Sequence, residues 1–137
     1  MSDAAFERVR ERLAGVAGEA PVAHGVLVLE IEPGRLLETV RALKVDCGFD
    51  LFLDVTAVDW PEREPRFDVV WHFYSTRHFV RLRLKTRVPL ADPTVDTLTP
   101  LYGSARYMER ECHEMYGIVF RGNADLRPIL LYEGFVG

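Results

Sequence analysis

The residues with the clearest chemical potential lie together near the carboxyl end of the chain. His113 and Glu114 open the sequence His-Glu-Met-Tyr-Gly, which matches the first half of the HExxH motif. On a helix that motif places two imidazoles one turn apart on a zinc ion, with the glutamate acting as base. The fifth position here is Gly117, which has no side chain to bind a metal. We therefore interpret this segment as a polar helical surface and not as a zinc site.

Other carboxylates and thiols also fall short of metal-binding patterns. Glu109, Glu111 and Glu114 crowd one segment, whereas a carboxylate-bridged metal site draws inward-facing ligands from several helices. Cys47 and Cys112 are far apart in sequence and belong to no paired-cysteine motif. The chain therefore offers neither the four cysteine ligands of an iron-sulfur cluster nor a disulfide framework. The sequence predicts two buried, reduced thiols.

Three aspartates near the middle of the chain are candidates for an acid and base pair. Asp50 and Asp54 share one face of a predicted strand, whereas Asp59 has the opposite parity and precedes a turn. Roles in strand solubility and turn capping are therefore expected. The chain also has no GxGxxG, P-loop or GxSxG motif, which removes the usual sequence grounds for a nucleotide or serine-hydrolase site.

A basic stripe runs along one predicted strand. Its members occupy every second position and are Arg81, Arg83, Lys85 and Arg87. Such a stripe can bind phosphates, but the formal net charge of the chain is -4, which disfavours nucleic acid and anionic membrane surfaces as partners. We interpret the stripe as a solvated surface or as a charged patch that faces a protein partner.

The whole chain has the composition of one ordinary globular domain. It has 137 residues, 48% of them hydrophobic and 28% charged, so we predict a single domain over residues 1–137. No apolar run approaches the roughly 20 residues that cross a bilayer. The amino terminus lacks the basic start and apolar middle of a secretory signal. We expect a chain without a membrane span that resides in the cytoplasm.

The first half of the sequence alternates between helix and strand patterns. A first helix is indicated by apolar residues at helical spacing and should stop near Gly18 and Pro21. Residues 22–31 are rich in β-branched side chains and predict one strand. A second helix follows, with Gly48 just beyond its end. The apolar faces of the two helices are Phe6, Val9, Leu13, Val16 and Ala17, and then Leu36, Leu37, Val40 and Leu43.

The second half predicts a sheet followed by a helix. In residues 49–58, strict alternation places Leu51, Leu53, Val55 and Ala57 on one face. Residues 67–74 and 78–85 have the short connection of a β-hairpin. Residues 88–100 read as a surface connection with at most a helical turn at 94–98. A final helix should run from a cap at Ser104 to Tyr116. The predicted fold is α+β: two layers, with helices packed on a mainly antiparallel or mixed sheet of about five strands.

Residues 109–130 carry a more specific pattern, ERECHEMYGIVFRGNADLRPIL. This segment resembles the signature of the 30 kDa subunit family of respiratory complex I, the NADH:quinone oxidoreductase in which this protein is also called the C subunit. The upstream segment 49–60, the strand at 67–74 and the run at 92–95 appear in the family's usual order. The signature positions matched are Glu109, Arg110, Glu111, Glu114, Met115, Tyr116, Gly117, Ile118, Phe120, Gly122, Leu126, Arg127, Ile129 and Leu130.

The sequence also departs from the family's usual pattern. Asn123 and Ala124 stand where the family usually has histidine and proline, and Tyr107 stands for the usual tryptophan before the ERE triplet. Pro128 replaces a common second arginine. These differences leave open a related subunit of a coenzyme F420-linked dehydrogenase or a membrane-bound hydrogenase. A free-standing metal-dependent enzyme is a further alternative.

The resemblance implies a structural subunit that is not an enzyme on its own. It would bind no cofactor, with iron-sulfur clusters, FMN and quinone on partner subunits, and it would support electron transfer from NADH to quinone. It would pack against subunits D, B and I on the cytoplasmic face of the cell membrane. The predicted interface residues are Tyr107, Glu109, Arg110, Glu111, Glu114, Met115, Tyr116, Gly117, Phe120, Gly122, Leu126 and Arg127.

Overall fold

The computed structural model describes residues 2–126 of the chain. Their helices are α1 (Ser2–Arg12), α2 (Leu36–Val45) and α3 (Ala105–Tyr116). Their strands are β1 (Gly18–Ala23), β2 (Val26–Glu30), β3 (Leu51–Asp59), β4 (Phe67–Ser75), β5 (Val80–Val88), β6 (Thr94–Asp96) and β7 (Val119–Arg121). Short 3₁₀ turns occupy Pro33–Arg35 and Ala124–Leu126.

A mixed five-stranded sheet forms one layer and the helices form the other. The strand order is β1-β2-β5-β4-β3, and β2 and β5 are parallel whereas the other neighbours are antiparallel. Strands β6 and β7 form a separate parallel pair. Buried side chains of the helices and of one sheet face belong to the same core cluster, which includes Trp71 without any solvent exposure. The predicted α+β, two-layer fold is confirmed.

Some predicted elements are confirmed closely. Helix α2 has its predicted apolar face, with Leu36, Val40 and Leu43 completely buried. Strands β4 and β5 form the predicted hairpin, and β5 alternates buried apolar residues with basic ones. Helix α3 ends at Gly117, whose φ of 78° is the left-handed conformation that glycine adopts without strain. Ser104 is the residue before the helix, but its side chain makes no capping hydrogen bond.

The prediction of one strand over residues 22–31 was wrong. The chain forms two antiparallel strands, β1 and β2, joined by His24 and Gly25. Both connecting residues have positive φ, 55° and 76°, as a tight two-residue hairpin turn requires. Helix α1 ends at Arg12, and Pro21 lies within β1. An edge strand tolerates proline because one side of its backbone has no strand partner.

The predicted faces of β3 were also wrong in part. The register with β4 shifts just after Phe52, which marks a β-bulge. The extra residue changes the parity, so Phe52 shares the buried face with Val55 and Ala57. Leu51 and Leu53, predicted to lie on that face, are 43% and 39% exposed. A bulge inserts one unpaired residue, and strict alternation cannot anticipate it.

Residues 88–100 are more ordered than a surface connection. Thr94–Asp96 is strand β6 and pairs in parallel with β7, which follows α3. Val95 and Leu98 are buried in the core. A three-residue strand is too short to show a period of two. The partner of β6 is also distant in sequence, so the local pattern did not reveal the pairing.

Candidate functional site

Helix α3 carries most of the predicted interface residues, and its sequence determines which of them face inward. Ala105, Glu109 and Cys112 recur at helical spacing and are the buried residues of the helix. This stripe packs toward β3 and toward the β6–β7 pair. The opposite side of the helix is therefore presented to solvent.

Glu109 lies completely inside the domain, although the sequence placed it among the interface candidates. Its Oε1 accepts hydrogen bonds from the hydroxyl of Thr97 (2.6 Å) and from Nδ2 of Asn123 (2.9 Å). Its Oε2 accepts a bond from the backbone N–H of Leu98 at 2.7 Å. Burial raises the pKa of Glu109, and these three donors oppose the rise. The carboxyl group thus joins α3 to the end of β6 and to the turn after β7.

Thr97 and Asn123 complete this cluster and were not identified as a pair from the sequence. Asn123 also donates from Nδ2 to the backbone oxygen of Arg106, at 3.1 Å. Asn123 is the residue that departs from the histidine usual in the family, and here it is buried and hydrogen-bonded. The only sequence signal was that departure, because the partners of Glu109 come from separate segments.

The exposed side of α3 combines aromatic, sulfur-containing and charged side chains. We call Tyr107, Arg110, Glu111, Glu114 and Met115 the α3 outer face. Tyr107 and Met115 are 64% and 73% exposed. Arg110 Nε lies 3.4 Å from Glu114 Oε2, one helical turn away. A hydrogen bond to Glu111 raises the pKa of the Tyr107 hydroxyl.

The remaining interface candidates differ in exposure. Phe120 is buried in the core of this chain, and Tyr116 and Leu126 are partly buried against it. Gly117 is exposed at the end of α3. Arg127 lies outside the described residues. The structure thus brings together the α3 outer face and assigns Phe120 to internal packing.

Gly122 has a structural reason to be glycine. Its φ is +97°, a conformation that side chains rarely adopt. A Cβ atom at this position would lie only 2.9 Å from Cγ2 of Thr97. The turn after β7 therefore approaches the end of β6 as closely as a residue without a side chain allows.

The residues considered for metal or acid-base chemistry have other contacts. His113 Nδ1 lies 2.8 Å from the backbone oxygen of Ile118, just past the end of α3. Asp50 accepts hydrogen bonds from Thr76, which lower its pKa. Asp59 pairs with Arg66, with 2.6 Å between the carboxylate and Nε.

Within residues 2–126, no three side chains of His, Cys, Asp or Glu come together as metal ligands. Cys47 and Cys112 are both buried free thiols, as predicted, and burial raises the pKa of Cys112 to about 12. In the described part of the chain, no helix has the length and apolar character to cross a membrane.

The class that this fold and surface define is a two-layer α+β domain with one amphipathic helix turned partly outward. Residues 29–137 match the sequence profile described as the 30 kDa subunit of respiratory-chain NADH dehydrogenase. This match covers most of the chain, and the chain therefore belongs to the complex I 30 kDa subunit family.

Individual relatives agree with this membership. The NADH-quinone oxidoreductase C subunit of Agrobacterium fabrum is 42% identical over 131 residues, which cover 94% of this chain and 65% of the relative. The corresponding protein of Methylobacterium sp. strain 4-46 is 39% identical over 133 residues, covering 96% and 61%. The chain thus spans just under two thirds of the length of these relatives.

Solved structures show the same fold. A trypsin-resistant fragment (1–134) of Nqo5 superposes with a TM-score of 0.77 at 29% identity, covering 91% of this chain and 99% of the fragment. A chain of the membrane-bound sulfane sulfur reductase, an archaeal respiratory membrane complex, gives a TM-score of 0.79 at 26% identity. That match covers 90% of this chain and 72% of the other.

Proposed function

We propose that this chain is a non-catalytic subunit of the peripheral arm of an NADH-quinone oxidoreductase. The observation that carries the proposal is the similarity to proteins named as the C subunit of that enzyme, at 37–42% identity over at least 93% of this chain. The iron-sulfur clusters, FMN and quinone would all belong to partner subunits. The role of this chain in electron transfer from NADH to quinone is then to hold those partners in place.

The α3 outer face is the surface proposed to contact subunits D, B or I. Aromatic residues, methionine and arginine are enriched where proteins meet, and Tyr107, Met115 and Arg110 all project from this side of the helix. Arg110 and Glu114 form a surface ion pair that contributes little to the fold by itself. Their charges are therefore available to fix the orientation of a partner.

The proposed location is the cytoplasmic face of the cell membrane, as a peripheral part of a membrane complex. It follows from the proposed partners, since a chain that packs against the electron-carrying subunits shares their position. A second candidate is the equivalent subunit of a different respiratory complex. The likeness to the sulfane sulfur reductase chain, with a TM-score of 0.79, favours it as the alternative.

The proposal is tested by recovering the tagged full-length chain from mildly solubilised membranes and identifying the attached proteins by mass spectrometry. We expect iron-sulfur, flavin and quinone-site subunits of an NADH-quinone oxidoreductase. Recovery of hydrogenase, F420-linked or sulfur-reducing subunits would assign the second candidate instead. Recovery of the folded chain alone would contradict both.

The α3 outer face is tested in the same experiment with Arg110→Glu. This substitution reverses a charge that is 48% exposed and paired with Glu114 one turn away. The matched control is Arg35→Glu, also 48% exposed and paired with Glu38. We expect both variants to fold, and only Arg110→Glu to lose partner subunits, because a buried interfacial charge without a partner weakens binding. Equal recovery of partners by both variants would remove α3 from the interface.

A further inference from the structure

The sheet has a second face, opposite to the helices, that the proposed function does not use. Along β5 its side chains are the basic stripe, and the side chains at the buried positions between them face the core. On β4 it presents His72 and Tyr74, which are half-buried. The loop 60–66 covers only one end of this face, where Trp60 and Arg63 hydrogen-bond to Asp68.

The stripe divides into a neutralised half and an unpaired half. Lys85 and Arg87 each lie within 4.0 Å of a carboxylate oxygen of Glu30, and Arg87 also reaches Asp68. Arg81 and Arg83 are exposed and form no ion pair with any residue between positions 2 and 126. Two guanidinium groups therefore project from the uncovered end of the face.

The neighbours of these two arginines make a defined surface. Register places Arg81 between Val26 of β2 and Tyr74 of β4. In the next row on the same face, Arg83 lies between Val28 and His72, and Asp54 follows on β3. We call the side chains of the two central rows the outer arginine patch: Val26, Val28, His72, Tyr74, Arg81 and Arg83. It combines two unpaired positive charges with apolar and hydrogen-bonding contacts.

We propose that the outer arginine patch binds an acidic segment of a neighbouring protein subunit, whose carboxylates pair with Arg81 and Arg83. The inference rests on the proposed function, since it needs an assembly to supply the partner. Guanidinium groups bind carboxylates through two parallel hydrogen bonds, which gives geometric selectivity as well as attraction.

The spacing of the two arginines fits such a segment. Residues two apart on a strand project about 7 Å from one another, and carboxylates four apart on a helix are separated by about 6 Å along its axis. One exposed face of an acidic helix can therefore meet both arginines. Two unpaired charges on a chain with net charge -4 are a weak attraction for nucleic acid or anionic lipid.

The test compares two doubly substituted full-length chains in the recovery experiment from native membranes. Arg81→Glu/Arg83→Glu reverses the patch. Arg41→Glu/Arg77→Glu makes the same change in charge at exposed positions on α2 and in the β4–β5 turn. We expect the first variant to recover at least about tenfold less of the partner that contacts the patch, and the control to behave as wild type. Thermal unfolding of each purified chain checks folding, and Arg81→Gln/Arg83→Gln replaces the reversal variant if that variant does not fold.

The outcomes separate the two proposals. If wild type recovers subunits and the patch variant recovers them equally well, the inference is overturned and the proposed function stands. If wild type recovers none, both are overturned. A photoreactive benzophenone side chain in place of Tyr74 identifies the occupant directly: a cross-link to an acidic peptide of another subunit supports the inference. A cross-link to lipid, nucleic acid or a second copy of this chain overturns it.

Discussion

At the scale of single residues, Glu109 shows how a charged side chain can belong to the core. Its carboxyl group is enclosed and receives hydrogen bonds from a hydroxyl, a backbone amide and a side-chain amide. The sequence identified Glu109 as special because it begins the ERE triplet. It did not show the inward direction, because Thr97 and Asn123 approach from segments that are separate from α3 in sequence.

The pH dependence of stability tests this assignment. Burial raises the pKa of Glu109 above its ordinary value of 4.5. A raised pKa in the folded state means that the group contributes most below the ordinary pKa, and that this contribution is lost as the pH rises through the folded value. We expect the free energy of unfolding of wild type, minus that of Glu109→Gln, to fall as the pH rises above 4.5.

Urea unfolding at a series of pH values from about 4 to about 8 measures this difference for both proteins. Glu109→Gln should itself be less stable by roughly 1–2 kcal/mol at low pH, because an amide cannot accept all the hydrogen bonds that the carboxyl group receives. A difference that grows as the pH rises would show that the three donors outweigh burial, so that the pKa lies below its ordinary value.

Gly122 gives a second prediction at this scale. Gly122→Ala should lower the free energy of unfolding by roughly 2 kcal/mol, since it forces a side chain into a left-handed conformation. The new Cβ would also press against Thr97. Gly34→Ala is the matched control, because Gly34 has no atom within 4 Å of the position its Cβ would occupy. Chemical denaturation of both variants decides, and equal stabilities would argue against the close approach.

At the scale of elements, periodicity predicted well wherever one strand or helix is long and has one buried face. The alternation of β5 and the apolar face of α2 are examples, and every member of the α3 outer face was a predicted interface residue. The bulge after Phe52 and the turn at His24 and Gly25 each depend on local backbone conformation that leaves no periodic trace. Strand β6 depends on a partner beyond α3.

The central pair β4–β5 allows a prediction about His72. Burial lowers its pKa below 6.5, the charges of Arg83 and Arg81 lower it further, and Asp54 opposes them. Replacing Arg83 with glutamine removes one positive neighbour and should move the pKa upward, toward 6.5. The control is Arg87→Gln, since Arg87 pairs with Glu30 and Asp68 at the other end of the face.

Titration of the imidazole followed by NMR measures this pKa in both variants and in wild type. Because the folded pKa is lowered, His72 contributes stability above 6.5, and that contribution is lost as the pH falls through the folded value. Arg83→Gln should reduce this loss. An unchanged His72 pKa in Arg83→Gln would show that the two side chains do not face each other across the register.

At the scale of the whole molecule, the described residues share one buried core that joins all three helices to one face of the sheet. The predicted extent of a single domain over residues 1–137 reaches beyond the described residues and stays a prediction. The two outward surfaces, on α3 and on the far side of the sheet, lie on different layers. A chain with contacts on both layers is suited to lie between subunits, which is the position that the proposed function requires.

A structural role makes a different prediction from a catalytic role when the intact complex is assayed. In Tyr107→Ala/Met115→Ala, two exposed apolar side chains of the α3 outer face are removed. We expect less assembled complex in the membrane but unchanged NADH-quinone activity per assembled complex, because these side chains would hold partners and take no part in the reaction. The control is Val45→Ala/Phe79→Ala, at positions that are 71% and 69% exposed elsewhere. Flavin content counts the assembled complexes, and a fall in activity per flavin with normal assembly would place the α3 outer face in electron transfer itself.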